Sequence, residues 1–231
     1  MKVSKEFSKY AQSYKTYNII QNKVVKKLLS TVHSKPKKIL DLGCGSGAVV
    51  KNIDWDFEHF VGVDFAPMML ELHPKSNSIV CINGNFDDPK LFHILSRYEF
   101  DYIISSSALQ WAEKLDEVFF YIKSMNIPFS FAIFTSGTFQ TLNKTANLPP
   151  LLRSADELRK LSQQYFDCEP ELIQYSLEFD NVRDMFQYIK KSGVSGSRRV
   201  LSYKETKRLM QEYPSNTLEF EVAFIGSDLR R

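Results

Sequence analysis

The sequence predicts an α/β fold in which one mostly parallel, doubly wound sheet is covered by helices on both faces. Short apolar runs alternate with helix-compatible stretches between residues 38 and 135, and the first run ends in a glycine-rich turn. The chain has 231 residues, of which 43% are hydrophobic, and it contains neither a repeat nor a low-complexity linker. We therefore expect a single domain over residues 1–231, built around one core.

The individual elements follow from this alternation. We expect strands at 38–43, 60–64, 79–82, 100–106 and 129–135, and helices at about 47–53, 67–72, 88–96 and 114–124. Alternating apolar residues at 172–179 and 218–225 suit a terminal antiparallel pair. The sheet is thus expected to have seven strands, with the last strand antiparallel.

Further helical segments are expected outside this alternation. Apolar residues at roughly helical spacing predict N-terminal helices within 1–35, lying across the mouth of the ligand site. Two other stretches, 138–168 and 181–213, are expected to form a lid above the carboxyl ends of the strands. Doubly wound sheets bind their ligands at that edge.

Capping boxes mark two helix starts within these stretches. Ser154 with Glu157, and Ser202 with Glu205, match the S-x-x-E pattern. In that pattern each side chain bonds the other residue's backbone amide.

The turn after the first strand predicts a ligand held against bare backbone. Gly43, Gly45 and Gly47 tolerate positive φ and admit a ligand without a Cβ in the way, and Cys44 between them is a small filler. The spacing is G-x-G-x-G, whereas the dinucleotide fingerprint is G-x-G-x-x-G. Asp41 precedes the turn, and a carboxylate repels phosphate but accepts hydrogen bonds from ammonium or hydroxyl groups. The turn therefore favours a zwitterionic nucleoside over NAD.

A second acid supports this choice of ligand. The apolar run 60–64 ends in Asp64, which two adjacent parallel strands would place beside a ribose, whose two hydroxyls can both donate to it. The alternative is a tight turn and a solvated aspartate. The two segments resemble motif I and the second-strand acid of class I S-adenosylmethionine-dependent methyltransferases, and Phe65-Ala-Pro-Met68 resembles the helix start that follows there. The resemblance implies a Rossmann-like sheet, S-adenosylmethionine as cofactor, and contacts from these residues.

The third strand is followed by residues assigned to the cofactor through the same resemblance. The superfamily often has Asp after the glycine at this point, to accept from the adenine amino group, and this chain has Asn85. An amide oxygen can accept as well. We expect Asn85 and Phe86 at the adenine, with Asp87 or Asp88 as alternative acceptors.

The end of the fourth strand supplies polar and aromatic groups. Polar Ser105, Ser106 and Ser107, with Gln110 and Trp111, are expected to emerge where the methyl donor points. An aromatic face favours a sulfonium cation by roughly 0.5–2 kcal/mol. The alternative is that Trp111 only anchors the next helix.

Motifs along nearly the whole chain narrow the resemblance. They are Phe7-Ser-Lys-Tyr-Ala11, Ala108-Leu-Gln-Trp111, Phe134-Thr-Ser-Gly-Thr-Phe139, Arg153-Ser-Ala-Asp-Glu-Leu158 and Ile189-Lys-Lys-Ser-Gly193. In this order they resemble the malonyl-acyl carrier protein O-methyltransferases of biotin synthesis. The resemblance implies methylation of the free carboxylate of a malonyl thioester.

The same resemblance suggests which residues meet the two substrates. It implies that Arg198 or Arg199 pairs with the acceptor carboxylate, because an arginine fork binds a carboxylate bidentately. Tyr14 is expected to close over the methyl donor and Gln21 to contact its amino-acid end. The alternatives are solvent-exposed charge for the arginines and helix packing for Tyr14 and Gln21.

The distribution of charged residues indicates what kind of protein partner the chain binds. The net charge is only +3, but the region 183–208 contains Arg183, Lys190, Lys191, Arg198, Arg199, Lys204, Lys207 and Arg208 against Asp184 and Glu205. We expect an acidic acyl carrier protein to dock there; the alternative is a solubilising helix face. The basic groups come without an appended nucleic-acid module or an interleaved aromatic platform, so nucleic acid is not the expected partner.

Other activities stay open on sequence alone. A methyltransferase for another small carboxylate or a quinone-type metabolite would keep every cofactor motif, and a non-enzymatic S-adenosylmethionine-binding protein would keep them too. We expect a cytoplasmic protein, since no apolar run approaches the ~18 residues of a membrane span and the first residues are polar. Cys44, Cys81 and Cys168 are widely spaced, which predicts free thiols and no metal site.

Overall fold

The computed structural model describes residues 18–192 and 203–227 of the chain. The strands are β1 (Lys38–Leu42), β2 (His59–Asp64), β3 (Ile79–Asn83), β4 (Tyr102–Ser106), β5 (Phe129–Phe134), β6 (Glu171–Glu178) and β7 (Thr217–Gly226). The helices are α1 (Ile19–Ser30), α2 (Ala48–Asn52), α3 (Pro67–Glu71), α4 (Pro89–Leu95), α5 (Leu115–Met125), α6 (Gln140–Thr145), α7 (Ala155–Tyr165), α8 (Val182–Ser192) and α9 (Tyr203–Glu212). A 3-10 turn occupies Leu109–Trp111.

The strands form one seven-stranded sheet in the order β3-β2-β1-β4-β5-β7-β6. Strands β1 to β5 run parallel, and β7 lies antiparallel to both β5 and β6. The predicted doubly wound sheet with an antiparallel last strand is confirmed. Strand β4 begins later than residue 100, because the Asp101 carboxylate accepts the backbone N–H groups of Lys37 (2.9 Å) and Lys38 (3.0 Å) beside the sheet.

Alternate strand residues build two separate apolar layers. Ile39 and Phe60 belong to the layer that α1, α8 and α9 cover, whereas Leu40 and Val61 belong to the layer that α4, α5 and α7 cover. Because successive side chains of a strand point to opposite faces, a sheet buried on both sides requires near-continuous apolar runs. This explains why the sequence shows such runs at the five parallel strands.

Helix α1 confirms a helix within the N-terminal 35 residues. Its residues Ile20, Val24 and Leu28 are spaced by four, and each is at most 1% exposed. Residues at this spacing share one face of a helix, so the face with these three residues packs onto the sheet. The remainder of the predicted N-terminal helical region lies outside the described residues.

Helix α7 carries one of the two predicted capping boxes. The Ser154 hydroxyl accepts from the backbone N–H of Glu157 (3.2 Å), and the Glu157 carboxylate accepts from the backbone N–H of Ser154 (2.6 Å). Leu158 is fully buried in the layer shared with α5. This part of 138–168 therefore covers a face of the sheet, which differs from the lid expected there. Ser202 of the other capping box lies outside the described residues.

Two expectations from composition concern thiols and membranes. Cys44, Cys81 and Cys168 are free, as predicted. Across the ranges 18–192 and 203–227, every helix falls short of the length and apolar character needed to cross a bilayer.

Candidate cofactor and acceptor site

The glycine turn between β1 and α2 is shaped by positive backbone angles. Gly43 has φ +82° and Gly45 has φ +52°, a region that side chains with a Cβ rarely adopt. A Cβ at Gly43 would also lie 2.1 Å from the Cβ of Ala108. The amides of Gly43 and Cys44 both donate to the carbonyl of Val63, at 2.8 and 2.9 Å. The turn is thus fixed by the end of β2.

Asp64 holds the turn from the end of β2. One carboxylate oxygen accepts from the Gly45 amide (2.9 Å) and the other from the Ala66 amide (2.8 Å). Burial raises the pKa of Asp64 to about 6, although both amide hydrogen bonds oppose that rise. An ionised carboxylate has about four acceptor positions, so two are left for further donors. This capacity suits the two hydroxyls of a ribose.

Asp41 lies beneath the turn instead of in it. The side chain is fully buried, and neither carboxylate oxygen has a hydrogen-bond partner in the described part of the chain. Burial, reinforced by the charge of Asp64, raises the pKa of Asp41 well above its ordinary value. Asp41 pairs with Gly62 in the sheet and does not line the cleft. The direct cofactor contact expected for it therefore stays a prediction without support from the described geometry.

A cleft opens at the carboxyl ends of β1, β2 and β4. Its wall combines backbone of the glycine turn with one carboxylate, several apolar groups and small polar side chains. The lining residues are Gln21, Gly43, Cys44, Gly45, Ser46, Ala48, Asp64, Phe65, Met69, Phe86, Ser106, Ser107, Ala108 and Trp111. Most of the residues predicted to bind the cofactor thus meet at one place.

Two predicted cofactor residues point elsewhere. Met68 is 45% exposed, and its neighbour Met69 lines the cleft in its place. Consecutive residues of a helix are turned by about 100°, so only one of the two can face the turn. Ser105 is fully buried, and its hydroxyl donates to the Leu42 carbonyl at 2.6 Å. It links β4 to β1 instead of facing the ligand.

The loop after β3 uses its polar groups internally. The Asn85 side chain is exposed and accepts from the backbone N–H of Asp87 (3.1 Å). The Asp87 carboxylate accepts hydrogen bonds from the backbone N–H groups of Glu113 and Lys114. The Asp88 carboxylate caps α4 by accepting from the backbone N–H of Lys90. Of the residues assigned to the adenine, the structure places Phe86 in the cleft wall.

Gly47 closes the turn on its outer side. A Cβ there would lie 2.5 Å from Pro74, and Gly47 does not line the cleft. Its part is to let the turn pack, which differs from the cofactor contact expected for it.

The segment after β4 places Trp111 in the cleft and Gln110 behind it. Ser107 has φ +61°, and its amide donates to the Ala132 carbonyl at 2.8 Å. Gln110 donates from Nε2 to the Ser107 carbonyl at 2.6 Å. Gln110 therefore braces a strained turn, whereas Trp111 contributes the aromatic wall predicted from the sequence.

Three of the predicted site residues lie outside the described residues: Tyr14, Arg198 and Arg199. Within the described lining, Asp64 is the single charged side chain. The described cleft wall is therefore negative, and a cation for an anionic acceptor has to come from another part of the chain.

The cleft also contains residues that the sequence did not single out. They are Ser46, Ala48, Met69 and Ala108, whereas Ser107 was expected there. Ser46 could have been found from its place inside the glycine turn. Ala108 was recognised only as the first residue of the Ala108–Trp111 motif, because its importance in the cleft comes from the close approach of Gly43, a residue of the turn after β1.

Comparison with known proteins agrees with this geometry. The methyltransferase domain family matches residues 39–125, which contain the glycine turn, Asp64 and Trp111. The malonyl-[acyl-carrier protein] O-methyltransferase of Bacillus anthracis is 26% identical over 219 residues, covering 84% of this chain and 81% of that protein. The Haemophilus influenzae protein of that name is 24% identical, over 86% of this chain and 79% of its own.

Residues 39–125 thus form a methyltransferase domain, and the chain is an S-adenosylmethionine-dependent methyltransferase.

Solved structures show the same fold. The YcgJ protein of Bacillus subtilis has a TM-score of 0.61 at 12% identity, covering 87% of this chain and 95% of that one. Phosphoethanolamine N-methyltransferase 2 of Haemonchus contortus, solved with S-adenosylhomocysteine, has a TM-score of 0.51 at 13% identity. It covers 90% of this chain and 52% of the nematode protein.

The cleft of this methyltransferase fits its methyl donor, S-adenosylmethionine. Asp64 has acceptor capacity for ribose hydroxyls, and Phe65, Met69 and Phe86 offer apolar surface to a flat base. Gln21 is 7% exposed, lines the cleft, and has an Oε1 without a partner among the described residues. An orphaned acceptor at this position suits an ammonium group supplied by the ligand.

Proposed function

We propose that this methyltransferase methylates the free carboxylate of a malonyl thioester carried on acyl carrier protein. The product would be the malonyl methyl ester that primes pimeloyl and biotin synthesis. One observation carries the proposal: relatives named for this activity align with 84% and 91% of this chain. The similarity therefore extends well beyond the 39–125 match and includes segments on the acceptor side of the cleft.

In this proposal the chain's own residues hold and orient the methyl donor. Asp64 accepts the ribose hydroxyls, Gln21 accepts from the ammonium group, and the backbone of Gly43 to Gly45 lets the ligand approach closely. Trp111 presents an aromatic face towards the sulfonium, as does Tyr14 in the sequence-based prediction. When bound, S-adenosylmethionine supplies a methyl group made electrophilic by its positively charged sulfur.

The acceptor side needs orientation more than proton transfer. A malonyl carboxylate has a pKa near ~4 and is already ionised at neutral pH, so no general base has to act on it. The carboxylate oxygen forms the new bond to carbon, and the electron pair of the sulfur–carbon bond stays on sulfur. Alignment in a site shielded from water supplies the rate. The resemblance assigns Arg198 or Arg199 to hold the carboxylate.

We propose that acyl carrier protein docks on the basic region 183–208, within the acceptor-binding elaboration 181–213. Of its basic side chains, Arg183, Lys204, Lys207 and Arg208 are described and exposed on α8 and α9, and Arg208 pairs with Glu212. Such pairing with an acidic carrier would weaken as salt rises. The alternative, a solubilising face, predicts a KM for the carrier that does not change with salt.

A second candidate is methylation of another small carboxylate or a quinone-type metabolite. The observation that favours it is that the family match ends at residue 125, before α6 to α9. The matched part contains the cofactor side of the cleft, which methyltransferases with different acceptors share. The acceptor therefore has to be identified by experiment.

The test is methyl transfer from labelled S-adenosylmethionine to malonyl-acyl carrier protein, with acetyl-acyl carrier protein and malonyl-coenzyme A alongside. Intact-protein mass spectrometry reads the product. We expect one methyl group on the malonyl thioester and none on the acetyl thioester. Binding of S-adenosylhomocysteine without any transfer to the malonyl thioester would overturn the proposal and favour the second candidate.

A further inference from the structure

We propose that Arg153 binds the acceptor carboxylate; this inference rests on the proposed function. Arg153 lies in the connection between α6 and α7, immediately before the helix cap Ser154. Its carbonyl accepts from the backbone N–H of Ser136 (2.8 Å), just beyond the carboxyl end of β5. The residue is thereby tied to the edge of the sheet where the cleft opens.

The side chain of Arg153 is held by one of its three nitrogens. Nη2 donates to the Ala112 carbonyl at 2.7 Å and to the Glu113 carbonyl at 3.3 Å. A guanidinium has five N–H donors in a planar fork, and both of these bonds use the same nitrogen. Nε and Nη1 have no hydrogen-bond partner among residues 18–192 and 203–227. One edge of the fork is thus available for a ligand.

Arg153 forms no close ion pair in the described part of the chain, and Glu157, whose pKa its charge helps to lower, is bonded to the cap residue Ser154 instead. The ion pairs found there join other residues, and none includes Arg153. The side chain is half-buried, and a partly desolvated guanidinium bound only to carbonyls retains an unmet preference for an anion. A carboxylate ligand would satisfy both the charge and the open donor edge.

The position of this guanidinium suits an acceptor next to the methyl donor. Ala112 directly follows Trp111, which lines the cleft. The same loop is held from its other side by Asp87, whose carboxylate accepts the amides of Glu113 and Lys114, each at 3.1 Å. Arg153 therefore lies on a braced support one residue from the aromatic wall. It supplies positive charge beside a described lining whose single charged side chain is the acid Asp64.

The experiment compares binding of two carriers that differ in the carboxylate. Affinities of malonyl-acyl carrier protein and acetyl-acyl carrier protein are measured in the presence of S-adenosylhomocysteine, for the wild type, R153Q, R153K and R159Q. Arg159 is the matched control, because it lies on α7 but pairs with Glu169 at 2.7 Å. We expect the wild type to prefer the malonyl carrier by about 10-fold or more, as a charge-assisted hydrogen-bonded pair implies.

R153Q should bind both carriers about equally. R153K should retain part of the preference for the malonyl carrier, because it keeps the positive charge without the guanidinium fork. R159Q should behave as the wild type. A merely structural role would weaken both carriers alike and would lower the melting temperature, and that result would overturn the inference. Because R153K keeps a cation at this position, it distinguishes loss of carboxylate recognition from a folding defect.

Failure of the inference is distinguishable from failure of the proposed function. If the wild type methylates the malonyl carrier, R153Q keeps the malonyl preference, and R198Q or R199Q abolishes it, Arg153 is not the carboxylate site and the function stands. If the wild type transfers no methyl group and shows no malonyl preference, the proposed function fails, and Arg153 fails with it.

Discussion

The two sides of the cleft are built in different ways. The cofactor side consists of the glycine turn 43–47, Asp64 and Gln21, and main-chain geometry shapes most of it. The proposed acceptor side consists of the loop 107–114, Arg153 and the segment 181–213, which are widely separated in sequence. The first is compact in sequence, whereas the second is dispersed over more than a hundred residues.

This difference explains why the methyl donor could be inferred before the methyl acceptor. A turn that needs positive φ at successive glycines leaves little freedom in sequence, so it is recognisable wherever it occurs. An acceptor site needs only a cation and a surface in the right place. On one and the same fold, residues from different loops can supply them, so no fixed sequence pattern marks the site. Breaking each side separately should therefore have different consequences.

The largest effect is expected from G43A. The new Cβ would meet Ala108 at 2.1 Å and force alanine to φ +82°, so we expect about 3 kcal/mol or more of lost stability and no measurable cofactor binding. Differential scanning fluorimetry and calorimetric titration with S-adenosylhomocysteine provide the measurements.

G45A is the matched control for this variant. Its Cβ would meet only the Met69 methyl at 3.4 Å, so we expect about 1 kcal/mol of lost stability. It should nevertheless weaken cofactor binding at least about tenfold, since its Cβ would project into the cleft. Binding by G43A at wild-type affinity would contradict a cofactor side shaped by the backbone.

A smaller effect is expected from D64N, which we predict to weaken S-adenosylhomocysteine binding about 100-fold. The amide loses an acceptor for the ribose and turns a donor towards the amide of Gly45 or Ala66. D41N is the contrasting variant, and it should change S-adenosylhomocysteine affinity by less than about fivefold. Asp41 does not line the cleft, and the substitution replaces a buried carboxyl by a neutral amide of the same shape. A comparable loss in both variants would show that Asp41 also meets the ligand.

The pH dependence of cofactor binding should follow Asp64. Its pKa is about 6, above the ordinary 3.8, because burial disfavours the charge. In the protein without ligand, the contribution of Asp64 to the free energy of unfolding therefore falls as pH rises from about 4 to about 6. Ribose hydroxyls donate to the ionised form, so S-adenosylhomocysteine affinity should rise through pH 6 and fall up to about tenfold per unit below it.

Titration calorimetry from pH 5 to pH 8 (about half a unit per step) tests this profile. D64N should show a nearly flat profile over the same range. An unchanged wild-type affinity down to pH 5 would mean that the carboxylate is not the group that receives the ligand's hydroxyls.

The smallest effect is expected from S154A, which probes the acceptor side. Loss of the cap should cost about 1 kcal/mol of stability. Because Arg153 immediately precedes the cap, the KM for malonyl-acyl carrier protein should rise a few-fold while S-adenosylhomocysteine affinity stays unchanged. E157Q, which keeps a hydrogen-bonding side chain in the box, should have a smaller effect. An equal loss of cofactor affinity would contradict the separation of the two sides.

Much of the fold could be predicted because its signals are local. Apolar runs, the glycine spacing and the Ser154–Glu157 box each depend on residues adjacent in sequence, and the structure confirms the strands, the helices between them and the box. The same holds for Asp64, which had to end β2 beside the turn once both strands were parallel and adjacent.

Contacts between distant segments decided the rest. Ala108 matters because Gly43 approaches it, and Met69 rather than Met68 lines the cleft because of how α3 is rotated against the turn. Arg153 reaches the loop after Trp111 across 41 residues of chain, which no local pattern encodes. The sequence by itself determined the fold class and the methyl donor, because periodicity and backbone geometry are properties of neighbouring residues. The tertiary structure decided which side chains share the cleft, because that depends on packing between elements far apart in sequence.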